Sequence, residues 1–114
     1  EISCNGKSVK HEALVDSGAD SCYFDSQIAE VLGIEFRAKG KYIQVTGLTG
    51  ETGPAYLHTV KISVGKFKNI PIEIGFVPKF PANGVSLLGQ KGFFEFFVIK
   101  FDYVGGTIDI TTRR

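Results

Sequence analysis

Ala13-Leu14-Val15-Asp16-Ser17-Gly18-Ala19-Asp20 runs three apolar residues into a carboxylate and then into a turn-forming cluster. The apolar triplet reads as the end of a strand, and Asp-Ser-Gly as the tight turn that stops it. A carboxyl placed at the mouth of a strand is a candidate general acid or base, because its surroundings can set its protonation state. The competing structural reading is an Asx-turn, in which Asp16 only caps its own backbone. On the tripeptide alone that reading leads, since Asp-Ser-Gly is common.

Outward from this segment, the chain reads as short strands. Ile2 to Val9 forms a hairpin, with Asn5-Gly6 supplying the two positive-φ positions of a type I′ turn. Its returning strand is expected to continue into Ala13-Leu14-Val15. A helix is predicted from Ser26 to Leu32, with Asp25 or Ser26 as its cap, Ile28, Val31 and Leu32 as its apolar stripe, and Gly33 at its end. Tyr42 to Val45 and Ala55 to Val64 read as strands joined by a loop from Thr46 to Pro54. The glycines Gly47, Gly50 and Gly53 in that loop favour a lid or binding loop over a neutral linker. Ile70 to Val77 is a strand whose Pro71 end is demoted towards a sheet edge. Val85 to Leu88 is a short buried strand, Gly89 to Phe97 holds a helical turn, and Val98 to Tyr103 pairs with Thr107 to Thr111 around Gly105-Gly106. The expected fold class is all-β, a closed barrel or sandwich with one or two short helices.

Composition narrows the function. The chain has 114 residues, so residues 1–114 are expected to form one domain. Thirteen basic and twelve acidic side chains leave a formal charge of +1, which argues against nucleic acid as a partner. No apolar run is long enough to span a membrane. Two cysteines, Cys4 and Cys22, and two distant histidines, His11 and His58, make no metal pattern, and no cofactor or metal is expected. The thiols point to a soluble domain in a reducing, cytoplasmic compartment, with a Cys4–Cys22 bridge left open. The absence of methionine predicts that Glu1 is not a natural start. A domain this small buries only about 65% of its surface and has no room for a deep cleft of its own, so a second copy would supply half of one.

A second motif, Leu87-Leu88-Gly89, follows the glycine-bearing loop. With Leu14-Val15-Asp16-Ser17-Gly18-Ala19 and that loop, it completes an ordered set. In these residues the chain resembles the retroviral-type aspartic proteases, the retropepsins. The resemblance implies an aspartic endopeptidase without cofactor, in which Asp16 from each of two identical subunits activates a water. It implies that Ser17 and Gly18 support the active site, and that Gly18, Ala19, Asp20 and Leu87 bind a polypeptide substrate. It also implies a flap carrying Gly47, Leu48, Thr49 and Gly50. The substrate would be an extended, mainly apolar segment, with the chain's own precursor among the candidates, cut best under mildly acidic conditions.

Two features depart from the pattern. Retroviral members follow the apolar-apolar-Gly motif with an arginine that bonds an aspartate, whereas this chain has Gln90-Lys91, leaving Lys91 as the expected partner of Asp20. The C-terminal hairpin is also long, so the subunit interface is expected to use strands such as Thr107 to Ile110. The alternative function is an inactive module that dimerises or captures peptide, and a small-ligand barrel is a third reading. Elsewhere, His11 reads as a surface or satisfied histidine and Cys22 as a buried small hydrophobe. Phe93, Phe94, Phe96, Phe97 and Phe101 read as core plus dimer contact.

Overall fold

A computed structural model describes residues 1–46, 52–78, 80 and 85–113. The chain opens with the hairpin β1 (Ile2–Cys4) and β2 (Lys7–Val9). Its turn residues Asn5 and Gly6 hold φ of 53° and 80°, the left-handed pair that a type I′ turn demands. Then come β3 (Ala13–Val15), β4 (Cys22–Asp25), α1 (Ser26–Val31), α2 (Phe36–Lys39), β5 (Lys41–Thr46), β6 (Thr52–Val64), β7 (Phe67–Val77) and β8 (Ser86–Leu88). A final hairpin joins β9 (Phe97–Asp102) to β10 (Thr107–Thr112). Helix α1 is capped as its sequence predicts: Asp25 accepts the Gln27 N–H, and Gly33 follows the helix at φ 73°.

The main sheet runs β2-β1-β6-β7-β4-β8-β3, with β5 paired to one end of β6. The all-β reading holds. One local expectation does not, because the strand returning from the first hairpin does not run on into Ala13. The exposed Lys10-His11-Glu12 link separates β2 from β3, and these strands sit at opposite ends of the sheet path. That separation dictates the curvature. Four Cα steps from Val9 to Ala13 reach at most about 15 Å. Six flat inter-strand spacings would need roughly 29 Å. The sheet must therefore curl into a half-barrel that brings its two ends together.

Alternation along β6 and β7 fills the barrel. Val60, Ile62, Ile72, Ile74 and Phe76 point inward at every second position and meet Ile2, Phe24, Leu32, Phe36, Leu88, Phe93 and Phe97. Pro71 lies on a strand central to the sheet, yet its end is locally an edge. There β4 covers only Ile74–Val77, and Pro71 pairs only with Lys61 of β6. Val85 is 53% exposed, so the buried strand before Gly89 begins at Ser86. Phe93 and Phe97 are core, whereas Phe96 and Phe101 are about half exposed. Gly89 to Phe97 winds through turns closed by wide bonds, Phe94 N–H to Gly89 O and Glu95 N–H to Gln90 O, and forms no regular helix.

Candidate active site

Asp16 stands immediately past β3. That strand runs parallel to β8, with Leu14 opposite Leu87 and Val15 opposite Leu88, and the Asp16 N–H extends the ladder to Leu88 O at 3.0 Å. Ala13 and Val15 pack on the core, so pleat alternation puts Leu14 and Asp16 on the outer face. Leu87, cross-strand from Leu14, shares that face and is half-buried. The turn closes through Ala19 N–H to Asp16 O, 3.1 Å. The Gly18 N–H donates to Asp16 Oδ1 at 2.9 Å.

This last contact is the Asx-turn of the structural reading. It also fixes one carboxylate oxygen, so the two readings share a single geometry. Gly18 has no positive φ; what its missing side chain supplies is room, since a Cβ there would lie 3.2 Å from Asp16 Oδ1. Ser17 and Gly18 are exposed at the tip of the turn.

The turn is fastened to the segment after β8. Gln90 N–H donates to Ala19 O at 2.9 Å and Lys91 N–H to Asp20 O at 3.0 Å, and Ser21 bridges Lys91 in parallel. Gly89 allows this approach: a Cβ there would sit within 2.6 Å of the Ala19 carbonyl oxygen and closer still to that of Ser21. The Gln90 side chain adds a further bond, Nε2–H to Ser17 O at 2.8 Å.

Lys91 therefore reaches Asp20 through its backbone. The Asp20 carboxylate accepts instead from the Tyr23 hydroxyl at 2.7 Å. Burial first, and then this bond to a carboxylate, push the Tyr23 phenol up to about 12, so it remains a donor. Tyr23 was not among the residues singled out in the sequence, because nothing local marks a strand tyrosine as the partner of an acid three positions earlier. Beneath the site, His11 Nε2 lies 2.7 Å from the buried Ser86 Oγ, and its ring leans on Phe24 at 5.7 Å.

Cys22 and Cys4 are both free thiols. Cys22 is fully buried and takes an N–H from Gly89 while donating to Lys91 O. Burial pushes its thiol up to about 11, which suits a packed residue and not a nucleophile. Among the described residues, no cluster of His, Cys, Asp and Glu is placed to hold a metal, and no helix is long and apolar enough to cross a membrane. The predicted flap residues Gly47, Leu48, Thr49 and Gly50 lie outside the described residues. The strands flanking them, β5 and β6, pair antiparallel as far as Thr46 opposite Thr52.

The fold thus brings the two sequence motifs together: a carboxylate on a tight turn, braced by the parallel strand that leads into Gly89. Residues 1–91 match the model of a family described as aspartyl protease. The chain belongs to that family, within the retropepsin-like clan. No curated protein and no solved structure matches it. The family match ends at Lys91, ahead of the β9–β10 hairpin.

Proposed function

We propose that the chain is an endopeptidase that works as a homodimer, with Asp16 of each copy forming the catalytic pair. The observation that carries this reading is the placement of Asp16. Its carboxylate stands on the outer face of the sheet, held at one oxygen by the Gly18 N–H, while the neighbouring Asp20 is bound to Tyr23. One chain holds one Asp-Ser-Gly, so the second carboxyl comes from a second copy. Like charges about 3 Å apart cannot both ionise, behaviour for which the aspartic proteases are the known example.

The pair thus holds one proton. In the attack, the ionised carboxylate takes a proton from water as the water oxygen bonds to the peptide carbon. The protonated carboxyl gives its proton to the carbonyl oxygen, leaving a neutral gem-diol. One diol hydroxyl then returns a proton to the pair, the other carboxyl protonates the leaving nitrogen, and the C–N bond breaks. The pair ends as it began, with one proton. Leu14 and Leu87 on the Asp16 face favour apolar side chains flanking the cut, and Ala19 and Asp20 would contact the extended substrate backbone. Mildly acidic conditions suit a pair that must keep one proton.

The second copy would dock on the C-terminal hairpin. One face of that hairpin carries Phe97, Ile99 and Phe101 opposite Thr112, Ile110 and Ile108. The other carries Val98 opposite Thr111, Lys100 opposite Asp109 and Asp102 opposite Thr107, a more polar pattern. The apolar row starts in the core at Phe97 and runs outward to Phe101 and Ile108, which are 50% and 47% exposed. A lone two-stranded ribbon is marginal in water. The hairpin's end is rooted beside the catalytic turn, because the Arg113 guanidinium donates to Phe94 O, four residues beyond Gln90.

Digestion of an unfolded protein and a peptide library, with wild type beside Asp16→Asn, tests the proposal. Wild type should cut at apolar positions, and the variant should lose at least about a hundredfold in rate. Cleavage that survives the substitution overturns it. A dimer that binds peptide and cuts nothing at any pH would assign the chain to the non-enzymatic alternative.

A further inference from the structure

The peptide unit between Ser17 and Gly18 is bonded at both ends by side chains. Its carbonyl oxygen accepts from Gln90 Nε2 at 2.8 Å, and its N–H donates to Asp16 Oδ1 at 2.9 Å. Because a peptide is planar, the two contacts are a single mechanical linkage, and turning the plane breaks both at once. The adjacent stitches between the turn and the Leu88–Lys91 segment are backbone bonds: Asp16 to Leu88, Ala19 to Gln90, and Asp20 to Lys91. Across the Ser17–Gly18 unit, a side chain from a residue 73 positions away supplies the tie.

Both residues of that unit are exposed, and the second is glycine, whose permissive backbone makes rotation of the preceding peptide cheap. The Gln90 amide also polarises the unit it bonds, which makes the Gly18 N–H a stronger donor to the carboxylate. We propose that Gln90 is a positioning residue for catalysis: it locks the Ser17–Gly18 peptide in the one orientation that holds the Asp16 carboxylate in place. This deepens the proposed hydrolase reading and rests on it, except that the clasp itself is open to measurement without catalysis.

Gln90 also borders a surface groove with Asp20, Lys91, Phe94 and Glu95, so a direct role in substrate binding is the competing explanation. The two separate in kinetics. A positioning residue lowers kcat with little change in KM, whereas a substrate contact raises KM.

The test compares wild type with Gln90→Ala and with Gln90→Glu, which keeps the shape and, once ionised, has no N–H to give. Both variants should lose about tenfold in kcat, the scale of one hydrogen bond, with KM within about twofold. In Gln90→Glu, activity relative to wild type should recover as acidification protonates the new carboxyl and restores a donor. Independently of catalysis, the Gly18 amide proton resonance, displaced downfield by its carboxylate acceptor, should move upfield in both variants at neutral pH. Wild-type kcat in Gln90→Glu, a loss confined to KM, or an unmoved Gly18 resonance would overturn the proposal. If wild type cuts no peptide, the hydrolase reading fails while the Gly18 resonance still reports on the clasp.

Discussion

Asp16 and Cys22 are six positions apart, and the fold treats their side chains in opposite ways. The Asp16 carboxylate sits on the outer face with one oxygen held by Gly18. The Cys22 thiol is sealed in the core, where burial raises it from 9.0 to about 11 and the charge of Glu95 adds to the effect against the opposing Gly89 N–H. A raised folded-state value means that the folded chain keeps a proton the unfolded chain has lost, so stability falls as pH rises through that interval. Unfolding by urea should therefore become easier between pH 9 and about 11. Cys22 alone contributes a loss on the order of 2–3 kcal/mol. Tyr23, raised to about 12, extends the decline above pH 10. In Cys22→Ala, the slope between pH 9 and 10 should flatten. Thiol alkylation of the native protein at pH 8 should label the half-buried Cys4 and spare Cys22.

Among the elements, the Asp16 turn depends on strands distant in sequence. The β3–β8 ladder places Asp16, and the Gly89–Lys91 crossing places Ala19 and Asp20. Gly89 is the tightest point of that crossing. Gly89→Ala would drive a methyl group into the Ala19 and Ser21 carbonyl oxygens and should cost about 3 kcal/mol, read as a lowered denaturant midpoint. Much at this scale was legible beforehand: the Asn5-Gly6 turn, the Asp25 cap and the Gly105-Gly106 hairpin are local signals with local causes. The break at Lys10 to Glu12 was not, because strand propensity says where a strand can form and not which partner it will take. Tyr23 was missed for the same reason, as its bond to Asp20 follows from the turn's shape and not from any pattern of residue types.

For the whole molecule, the half-barrel leaves the β9–β10 hairpin as a two-stranded sheet paired, among the described residues, with no other strand. Its uncovered apolar end is the proposed seat of the second copy. Phe101→Ser combined with Ile108→Ser should leave the thermal transition near that of wild type at low concentration, since both side chains are about half exposed in the single chain. The same double variant should sediment as a monomer and lose cleavage together with self-association. A variant that remains dimeric and active would move the interface elsewhere. Loss of association without loss of activity would remove the need for a second carboxylate.

By itself, the sequence determined the all-β class, the two tight hairpins, the capped helix and the order of the two motifs that mark the aspartyl protease family. Each of these rests on residue types acting over a few positions: glycine and asparagine at positive φ, an aspartate capping a helix, apolar residues alternating at period two. Only the tertiary structure decided that β2 and β3 part to opposite ends of a curled sheet, that Asp20 answers to Tyr23, and that Gln90 holds the turn beside Asp16. Those outcomes depend on which distant strands meet. A short connection spanning the sheet forces the curl, and the curl brings together groups whose separation along the chain carries no local signal.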